Sequence, residues 1–331
     1  MTATMRAVVL DGPGPVTALQ VREVPIPTPA PGWVLIKVMA FGLNRSEVFT
    51  RLGYSGDAVT YPRILGIEAT GVVESAPGGE FAPGTQVAAL MGGMGRTYDG
   101  GYAEYVCVPA SQVVPFSSDL PWAVLGAVPE MLQTAYGSLT VGVGIQPGQS
   151  LLIRGGTSSV GMAAAVLAKG MGVTVLATTR TDSKTAALTE IGVDHVLLDD
   201  GPLADRVRAI GPGGVHGAIE LVGTNTLPDT LRATRTGGTV CFTGMLSGQW
   251  TIPDFYPMDY LPNGVRLTAY SGEASDLSPQ VLQGFLDAVA SGHATVPIDR
   301  TFTIDQIAEA HELLGSGRSV GKLVVVTEAA A

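Results

Sequence analysis

The segment SLLIRGGTSSVGMAAAVLAKG, residues 150–170, decides the fold of this chain. Its apolar beginning is typical of a buried strand, and its alanine-rich end favours a helix. Small residues between them would let backbone amides and the positive end of the helix dipole approach a phosphate. We predict a nucleotide-binding turn with contacts at Gly155, Thr157, Ser158, Ser159, Val160 and Gly161. The alternative is an ordinary tight connection, because Ser158 stands where the usual pattern has its middle glycine.

A second apolar run, Val173 to Thr178, follows this helix and completes a strand-helix-strand unit. In dinucleotide sites the end of the second strand meets the adenosine ribose, and an acidic residue there binds the diol of NAD. Here Thr179, Arg180 and Lys184 occupy that region, and the two cations could donate to a 2′-phosphate instead. We therefore expect NADP(H) as the cofactor. The alternative is that both cations are ordinary solvated surface charges.

Length, charge and cysteine content limit the class of protein. A chain of 331 residues is too long for one ordinary core, which predicts two domains. The net charge of −10 argues against nucleic acid or an anionic membrane as a partner and leaves a small-molecule substrate. Two cysteines are too few for a disulfide framework or a cysteine-built zinc site. Because no secretion signal or long apolar run is visible, we expect a cytoplasmic location.

The pattern of apolar residues changes near residue 120. Before it, short apolar runs bounded by glycine or proline predict a small antiparallel barrel, with Pro25 to Pro31 as an extended connector. After a helical segment over Ala123–Val143, strands and helices alternate and predict a doubly wound parallel sheet. The remaining residues carry two helices, ending at Gly292 and Gly315, and a last strand. We assign residues 1–120 and 272–331 to one domain and residues 121–271 to a nucleotide-binding domain.

Seven groups of residues stand in the order found in one known superfamily. They are Ala40–Glu47, Gly66–Glu68, Gly100–Pro109, Leu132–Tyr136, Gly155–Gly161, Ala218–Gly223, and Ala310–Leu314 followed by Gly321-Lys322. On these residues the whole chain resembles the medium-chain dehydrogenases/reductases, and within them the zinc-independent NADPH:quinone oxidoreductase group. The resemblance implies an α/β protein with a GroES-like β-barrel domain, a Rossmann domain and an active site in the cleft between them. It also implies a homodimer formed through the Rossmann domains.

The residues at the zinc-ligand positions of this superfamily differ here. In its zinc-dependent members a cysteine stands in the place of Asn44, a histidine in the place of Ile67, and a third ligand near Glu130. Catalytic zinc needs three protein ligands, and the side chain of Ile67 has no ligand atom. The four-cysteine structural lobe of those enzymes is also missing, so we predict that no metal is bound. The histidines are scattered and are assigned structural or surface roles: His195, His216, His293 and His311.

Hydride transfer without a metal needs a substrate that is already electron-poor, such as a quinone or an α,β-unsaturated carbonyl. A positioned donor would then stabilise or protonate its carbonyl oxygen. We predict Asn44 and Tyr54 for this role, the second because the resembling reductases commonly carry a tyrosine there. The alternative is that both side chains are structural, with Asn44 stabilising a turn and Tyr54 covering the edge of the domain. The resemblance further implies cofactor contacts at Thr134, Val222, Gly223, Gly244 and Leu246.

Two other functions stay open from the sequence. One is a pathway-specific enoyl thioester reductase, and the other is a non-enzymatic NADPH-binding protein. One residue argues against NADPH as the cofactor. Asp199 closes the third strand of the nucleotide-binding domain, where some quinone reductases place a tyrosine, and its carboxylate could repel a cofactor phosphate.

Overall fold

The computed structural model describes residues 3–327 and divides the chain into two compact units. The first unit runs to Glu130 and resumes at Glu273, and the second covers Met131–Gly272. The sequence predicted these changes of unit at residues 120 and 272. Residues 1–2 and 328–331 of the predicted first domain lie outside the described residues. Within residues 3–327, no helix is both long enough and apolar enough to cross a membrane.

Each strand or helix has its own spacing of apolar residues, and turn-forming residues separate one element from the next. The strands are β1 (Thr4–Leu10), β2 (Leu19–Pro25), β3 (Trp33–Leu43), β4 (Arg63–Ile64), β5 (Glu68–Ser75), β6 (Gln86–Leu90), β7 (Tyr105–Pro109), β8 (Val113–Pro115), β9 (Ser150–Arg154), β10 (Thr174–Thr179), β11 (His195–Leu198), β12 (Val215–Glu220), β13 (Thr234–Phe242), β14 (Arg266–Ala269), β15 (Ile298–Thr303) and β16 (Lys322–Val326). The α-helices are α1 (Arg45–Arg51), α2 (Trp122–Leu125), α3 (Pro129–Gly137), α4 (Ser159–Gly170), α5 (Thr185–Glu190), α6 (Ala204–Ile210), α7 (Leu227–Ala233), α8 (Pro257–Tyr260), α9 (Pro279–Ala290) and α10 (Ile307–Ser316).

The second unit is built on a six-stranded sheet in the order β11-β10-β9-β12-β13-β14. Every pairing in it is parallel. Leu151, Leu152 and Ile153 of β9 are fully buried, because a central parallel strand is covered on both faces of the sheet. The strand order reverses between β9 and β12, which opens a crevice at the carboxyl ends of these strands. The predicted doubly wound sheet is confirmed, with the glycine-rich turn at this reversal.

The first unit consists mainly of antiparallel strands. A seven-stranded sheet follows the path β15-β16-β3-β5-β6-β8, with β7 paired to β3, and a second sheet has the order β2-β1-β4. Only β15 and β16 pair in parallel among the described strands of this unit. Phe41 and Tyr102 stack in its core with ring centroids 4.7 Å apart. The expected GroES-like domain is confirmed.

The helix predicted over Ala123–Val143 is interrupted in the structure. Helix α2 ends at Leu125, α3 begins at Pro129, and a π-helix covers Ser138–Val143. Pro129 lacks an N–H and disfavours helical backbone in the residue before it, so a new helix starts there with proline in its first position.

Four strands of the first unit, β2, β4, β8 and β15, were not predicted from the sequence, and two helix ends also differ. Strand β2 ends at Pro25, where the predicted extended connector begins, and no strand was predicted directly before this proline. Its residues are mostly exposed, so its apolar pattern is weak, and proline is tolerated on such an edge strand. Helix α9 ends at Ala290, before Gly292, and α10 continues to Ser316, followed by Gly317 in the left-handed conformation that often ends helices.

Candidate functional site

The turn from β9 to α4 needs glycine at three positions. Gly155 has a φ of +90°, which glycine adopts readily. A Cβ atom on Gly156 would lie 2.8 Å from the Cβ atom of Ala177. A Cβ atom on Gly161 would lie 2.5 Å from the carbonyl oxygen of Gly155 and 2.9 Å from the Cα atom of Gly156. The first turn of α4 therefore packs in backbone contact with the glycine-rich turn.

Ser158 caps α4 rather than presenting its hydroxyl to a ligand. Its Oγ accepts a hydrogen bond from the Gly161 amide at 3.1 Å and donates to the Gly155 carbonyl at 2.8 Å. Its own amide donates to the same carbonyl. Helix geometry leaves the amides of Ser159 and Val160 without a partner inside α4, at the positive end of its dipole. Thr157, Ser159 and Val160 are half-buried.

The end of β10 is hydrogen-bonded to the glycine-rich turn. The amide of Gly155 donates to Thr178 Oγ1 and the amide of Gly156 to the Thr178 carbonyl, each at 3.0 Å. Thr179 is buried, and its hydroxyl donates to the Thr181 carbonyl, so it is committed to the loop. Directly after this strand end, Arg180 is exposed and Lys184 is half-buried.

The loops after β12 and β13 lie beside the same turn. A Cβ atom on Gly155 would lie 3.1 Å from Leu221 Cβ, 3.2 Å from Leu246 Cδ1 and 3.5 Å from Val222 Cγ2. The amide of Leu246 donates to the Leu221 carbonyl at 3.0 Å, which ties the two loops together. The structure thus brings together the predicted contacts Gly155, Val222, Gly223, Gly244 and Leu246.

Hydrogen bonds of Ser138 connect Thr134 to the carboxyl end of β13. The Ser138 hydroxyl donates to the Thr134 carbonyl at 2.6 Å and is 2.9 Å from the hydroxyl oxygen of Thr243, which precedes Gly244. The Thr134 hydroxyl itself donates to the side chain of Gln133 at 3.1 Å. Thr134 therefore lies on a helix whose next turn is bonded to the end of β13.

Sequence reasoning missed Glu220, a buried acid that shapes one of these loops. Its Oε1 accepts from the amides of Val222 at 2.8 Å and Gly223 at 3.1 Å, and its Oε2 accepts from the Thr230 hydroxyl at 2.6 Å. Burial raises the pKa of Glu220, and these donors oppose that rise. A charge within the apolar run of β12 was the available signal, because a buried charge needs partners.

Arg154, at the end of β9, is the second group that sequence reasoning missed. Its guanidinium is buried and holds Asp199 through two hydrogen bonds of 2.6 and 3.0 Å, and Asp229 through one of 2.6 Å. Burial acts against the charge of Arg154, but the two aspartates outweigh it and raise its pKa. Asp199, which the sequence suggested as a source of repulsion for a cofactor phosphate, is therefore an ion-pair partner.

Asn44 belongs to a buried polar cluster of the first unit. Its Nδ2 donates to Glu47 Oε1 at 3.2 Å and to Glu68 Oε1 at 3.0 Å, and its Oδ1 accepts from Lys322 Nζ at 2.5 Å. The side chain has two amide hydrogens, and both are used here. The structure thus differs from the prediction that Asn44 donates to a substrate.

Lys322 and three glutamates complete this cluster, and sequence reasoning did not assign them a role. Lys322 is fully buried, with its Nζ 2.7 Å from Glu68 Oε1 and 3.3 Å from Glu130 Oε2. Burial opposes its charge, but the two carboxylates outweigh burial and raise the pKa of Lys322. Burial also raises the pKa of Glu47 to about 7. The hydrogen bonds that Glu47 accepts from the amide of Ile67 and the side chain of Asn44 lower this pKa, but burial outweighs them.

Tyr54 differs from Asn44 in its exposure. It follows α1, its amide donates to the Phe49 carbonyl at 2.9 Å, and 68% of its surface is exposed. Asn44 is only 6% exposed. Of the two predicted donors, Tyr54 is therefore the one that is open to a ligand.

The histidines do not form a metal site among residues 3–327. No group of three or more histidine, cysteine, aspartate or glutamate side chains there is arranged to hold a metal ion. His311 is buried, and its Nε2 lies 3.1 Å from the hydroxyl of Tyr102. Burial, together with the charge of Arg51, lowers the pKa of His311 to about 3. This histidine is a neutral core residue.

Comparisons with known proteins cover nearly the whole chain. Residues 30–118 match the alcohol dehydrogenase GroES-like domain, and residues 191–325 match the zinc-binding dehydrogenase family. The quinone oxidoreductase of Homo sapiens is 27% identical over 336 residues, covering 97% of this chain and 98% of that protein. An NAD-dependent alcohol dehydrogenase structure has a TM-score of 0.87 at 26% identity, and a mycobacterial protein complexed with NADPH has 0.85 at 25%. Each of these two similarities covers 97% of this chain and 99% of the chain of the solved structure.

Proposed function

Because this chain belongs to the medium-chain dehydrogenase/reductase superfamily, among its quinone oxidoreductase-like members, we propose that it is an NADPH-dependent reductase. Its substrate is a quinone or an α,β-unsaturated carbonyl, and no zinc takes part. The observation that carries the proposal is the glycine-rich turn, with α4 in backbone contact at Gly161 and two cations directly after the neighbouring strand. The similarity to human quinone oxidoreductase supports the substrate class.

The residues of the second unit fit a phosphorylated dinucleotide. The small-residue turn and the amides of Ser159 and Val160 would hold the pyrophosphate at the start of α4. Arg180 and Lys184 would hold the 2′-phosphate, and Asp199 does not oppose this because Arg154 neutralises it. The nicotinamide end would be bordered by Thr134, Val222, Gly223, Gly244 and Leu246. When bound, NADPH supplies the hydride.

On the substrate side, Tyr54 is the proposed donor to the oxygen that gains negative charge. Its phenol is exposed and can hydrogen-bond or protonate that oxygen. Quinones and enones suit this arrangement, because they accept hydride without a Lewis acid on their carbonyl. Asn44 acts inside the buried cluster instead, since its amide hydrogens are already used.

Cofactor oxidation in metal-free buffer tests the function. Consumption of NADPH and NADH would be followed with a panel of quinones, enones and one enoyl thioester, in the presence of a chelator. We expect turnover of quinones or enones with a clear preference for NADPH. Turnover of the thioester alone would favour a pathway-specific reductase, and tight NADPH binding without any turnover would favour a non-enzymatic binder. Turnover that depends on added zinc would contradict the proposal.

Removing the two cations tests the cofactor preference. Arg180→Ala with Lys184→Ala is expected to weaken NADPH binding about 10- to 100-fold, because charge-assisted hydrogen bonds to a phosphate are lost. NADH has no 2′-phosphate, so its affinity should change by less than about twofold. Calorimetric titration measures both. Arg206→Ala, which removes an exposed arginine paired with Asp200, is the control and should change neither affinity. An equal loss for both cofactors would refute the assignment.

Removing the phenolic hydroxyl of Tyr54 tests its role as donor. Tyr54→Phe is expected to lower kcat at least about tenfold, since a positioned proton donor contributes about 10²- to 10⁴-fold. The Kd of NADPH should stay unchanged. Tyr105→Phe, on β7 of the same unit, removes a hydroxyl that has no proposed role and should leave kcat unchanged. Unchanged turnover of Tyr54→Phe would remove Tyr54 from the mechanism.

The proposal also includes a homodimer formed through the second units, with no nucleic acid or membrane as a partner. Strand β14 is one of the two edge strands of the parallel sheet, and pairing of this edge with a second copy would form the dimer. The net charge of −10 supports the absence of polyanionic partners, and a cytoplasmic location is part of the proposal. Sedimentation of the purified protein measures its oligomeric state.

A further inference from the structure

The ammonium group of Lys322 lies among three oxygen atoms in the first unit and has no exposed surface. These atoms are Asn44 Oδ1 at 2.5 Å, Glu68 Oε1 at 2.7 Å and Glu130 Oε2 at 3.3 Å. An ammonium group has three N–H donors, so three acceptors match it. The arrangement is that of a small cation held by oxygen ligands.

The oxygen ligands are held in place by their own partners. The side-chain amide of Asn44 donates to both Glu47 and Glu68, and the backbone amide of Glu130 donates to Glu68 Oε2 at 2.8 Å. Gly42 makes room for the ion pair, because a Cβ atom there would lie 2.3 Å from both Glu68 Oε1 and Lys322 Cε. The cavity is therefore shaped around this lysine and its carboxylates.

A zinc ion does not fit these residues. The resemblance implies that zinc-dependent relatives carry ligands in the places of Asn44 and Ile67 and near Glu130, and the side chain of Ile67 is apolar. Lys322 already contacts the oxygens of Asn44 and Glu130, so a metal ion bound there would meet a fixed positive charge at close range. The family matched by residues 191–325 is described as a zinc-binding dehydrogenase. The residues at the ligand positions of this chain do not fit that description.

We propose that the ammonium of Lys322 is a built-in cation that stands in for a metal ion. It holds Asn44, Glu68 and Glu130 together and excludes divalent cations from their oxygen atoms. The proposal rests on the statement in the proposed function that no zinc takes part. It adds Lys322 as a residue that positions Asn44, Glu68 and Glu130. Without Lys322, the same oxygens would form a site for a hard divalent cation, since carboxylate and amide oxygens suit Mn²⁺.

Titration with Mn²⁺ of the chelator-treated protein and two variants tests this proposal. Lys322→Met removes the charge, and Lys322→Arg keeps it. By electron paramagnetic resonance, we expect Lys322→Met to bind one Mn²⁺ per chain with a Kd below about 100 μM, tighter than the weakest class of oxygen-built cation sites. Wild type and Lys322→Arg should bind none at this cluster. Adding Glu68→Gln to Lys322→Met should abolish the new site, which separates it from surface binding.

Two results obtained with folded protein would overturn the proposal. One is a stoichiometric Mn²⁺ in the wild type that Glu68→Gln removes, and the other is a folded Lys322→Met that binds no Mn²⁺. If Lys322→Met is unfolded without metal, Mn²⁺ should restore its far-ultraviolet circular dichroism, because a ligand that binds the folded state stabilises it. Failure of Mn²⁺ to restore it also refutes the proposal. These measurements need neither NADPH nor substrate, so they are independent of the turnover assay.

Discussion

Replacing Arg154 by methionine is expected to lower the free energy of unfolding by about 3–5 kcal/mol. The Arg154 side chain is 3% exposed, and its guanidinium is bonded to Asp199 and Asp229, whose side chains are 11% and 12% exposed. Removing it leaves the largely buried Asp199 without its counter-ion and leaves Asp229 with Arg232, at 4.0 Å, as its remaining counter-ion, and uncompensated buried charge is strongly destabilising. Urea unfolding followed by circular dichroism measures the loss.

A surface arginine provides the matched control for this prediction. Arg206 pairs with Asp200 at 2.8 Å, but both side chains are well exposed. Arg206→Met makes the same chemical change and should cost only about 0–1 kcal/mol. Asp199→Asn added to Arg154→Met should recover part of the loss, because one unpaired charge is removed. If Arg154→Met and Arg206→Met cost the same, the buried network does not contribute as we infer.

Replacing Gly161 by alanine is expected to weaken NADPH binding at least about tenfold and to cost about 1–3 kcal/mol of stability. The added Cβ atom would lie 2.5 Å from the carbonyl oxygen of Gly155, and a backbone atom cannot turn aside as a flexible side chain can. Helix α4 must therefore move away from the turn, together with the amides proposed to hold the pyrophosphate. Calorimetric titration with NADPH and thermal unfolding measure the two effects.

The same helix contains a glycine that serves as the control. Gly170 is the last residue of α4, and a Cβ atom there would have no neighbour within 4 Å. Gly170→Ala should leave NADPH binding unchanged and keep or raise stability by up to about 1 kcal/mol, because alanine restricts the unfolded chain and favours helix. Normal NADPH affinity in Gly161→Ala would argue against this turn as the cofactor site.

The fold was predictable from local patterns to a large extent. The strand and helix predicted at the beginning and end of residues 150–170 are β9 and α4 in the structure, because the apolar run and the alanine-rich run have clear boundaries. Strand β2 was missed because its residues are mostly exposed and carry no strong apolar pattern. The break of the helix before Pro129 depends on backbone restrictions that outweigh the apolar composition around it.

From the residues alone, the candidate site was predictable only where chain order brings residues together, and the contacts after β12 and β13 followed from the family resemblance. The glycine-rich turn, Arg180 and Lys184 follow consecutive elements of one strand-helix-strand unit, so a local pattern locates them. Asn44 was identified as a site residue, but its partners were not. One of them, Lys322, is 278 positions away along the chain, and no local pattern links the two.

The sequence by itself determined the alternation of elements, the glycine-rich turn and the candidate cofactor residues, because periodicity and small-residue turns act over a few neighbouring positions. Only the tertiary structure decided how the charged residues pair. It joins Arg154 to Asp199 and Asp229, and it gathers Asn44, Glu68, Glu130 and Lys322. The physical reason is that a charge leaves water only where strand pairing brings its partners within hydrogen-bond distance, and those partners come from distant parts of the chain.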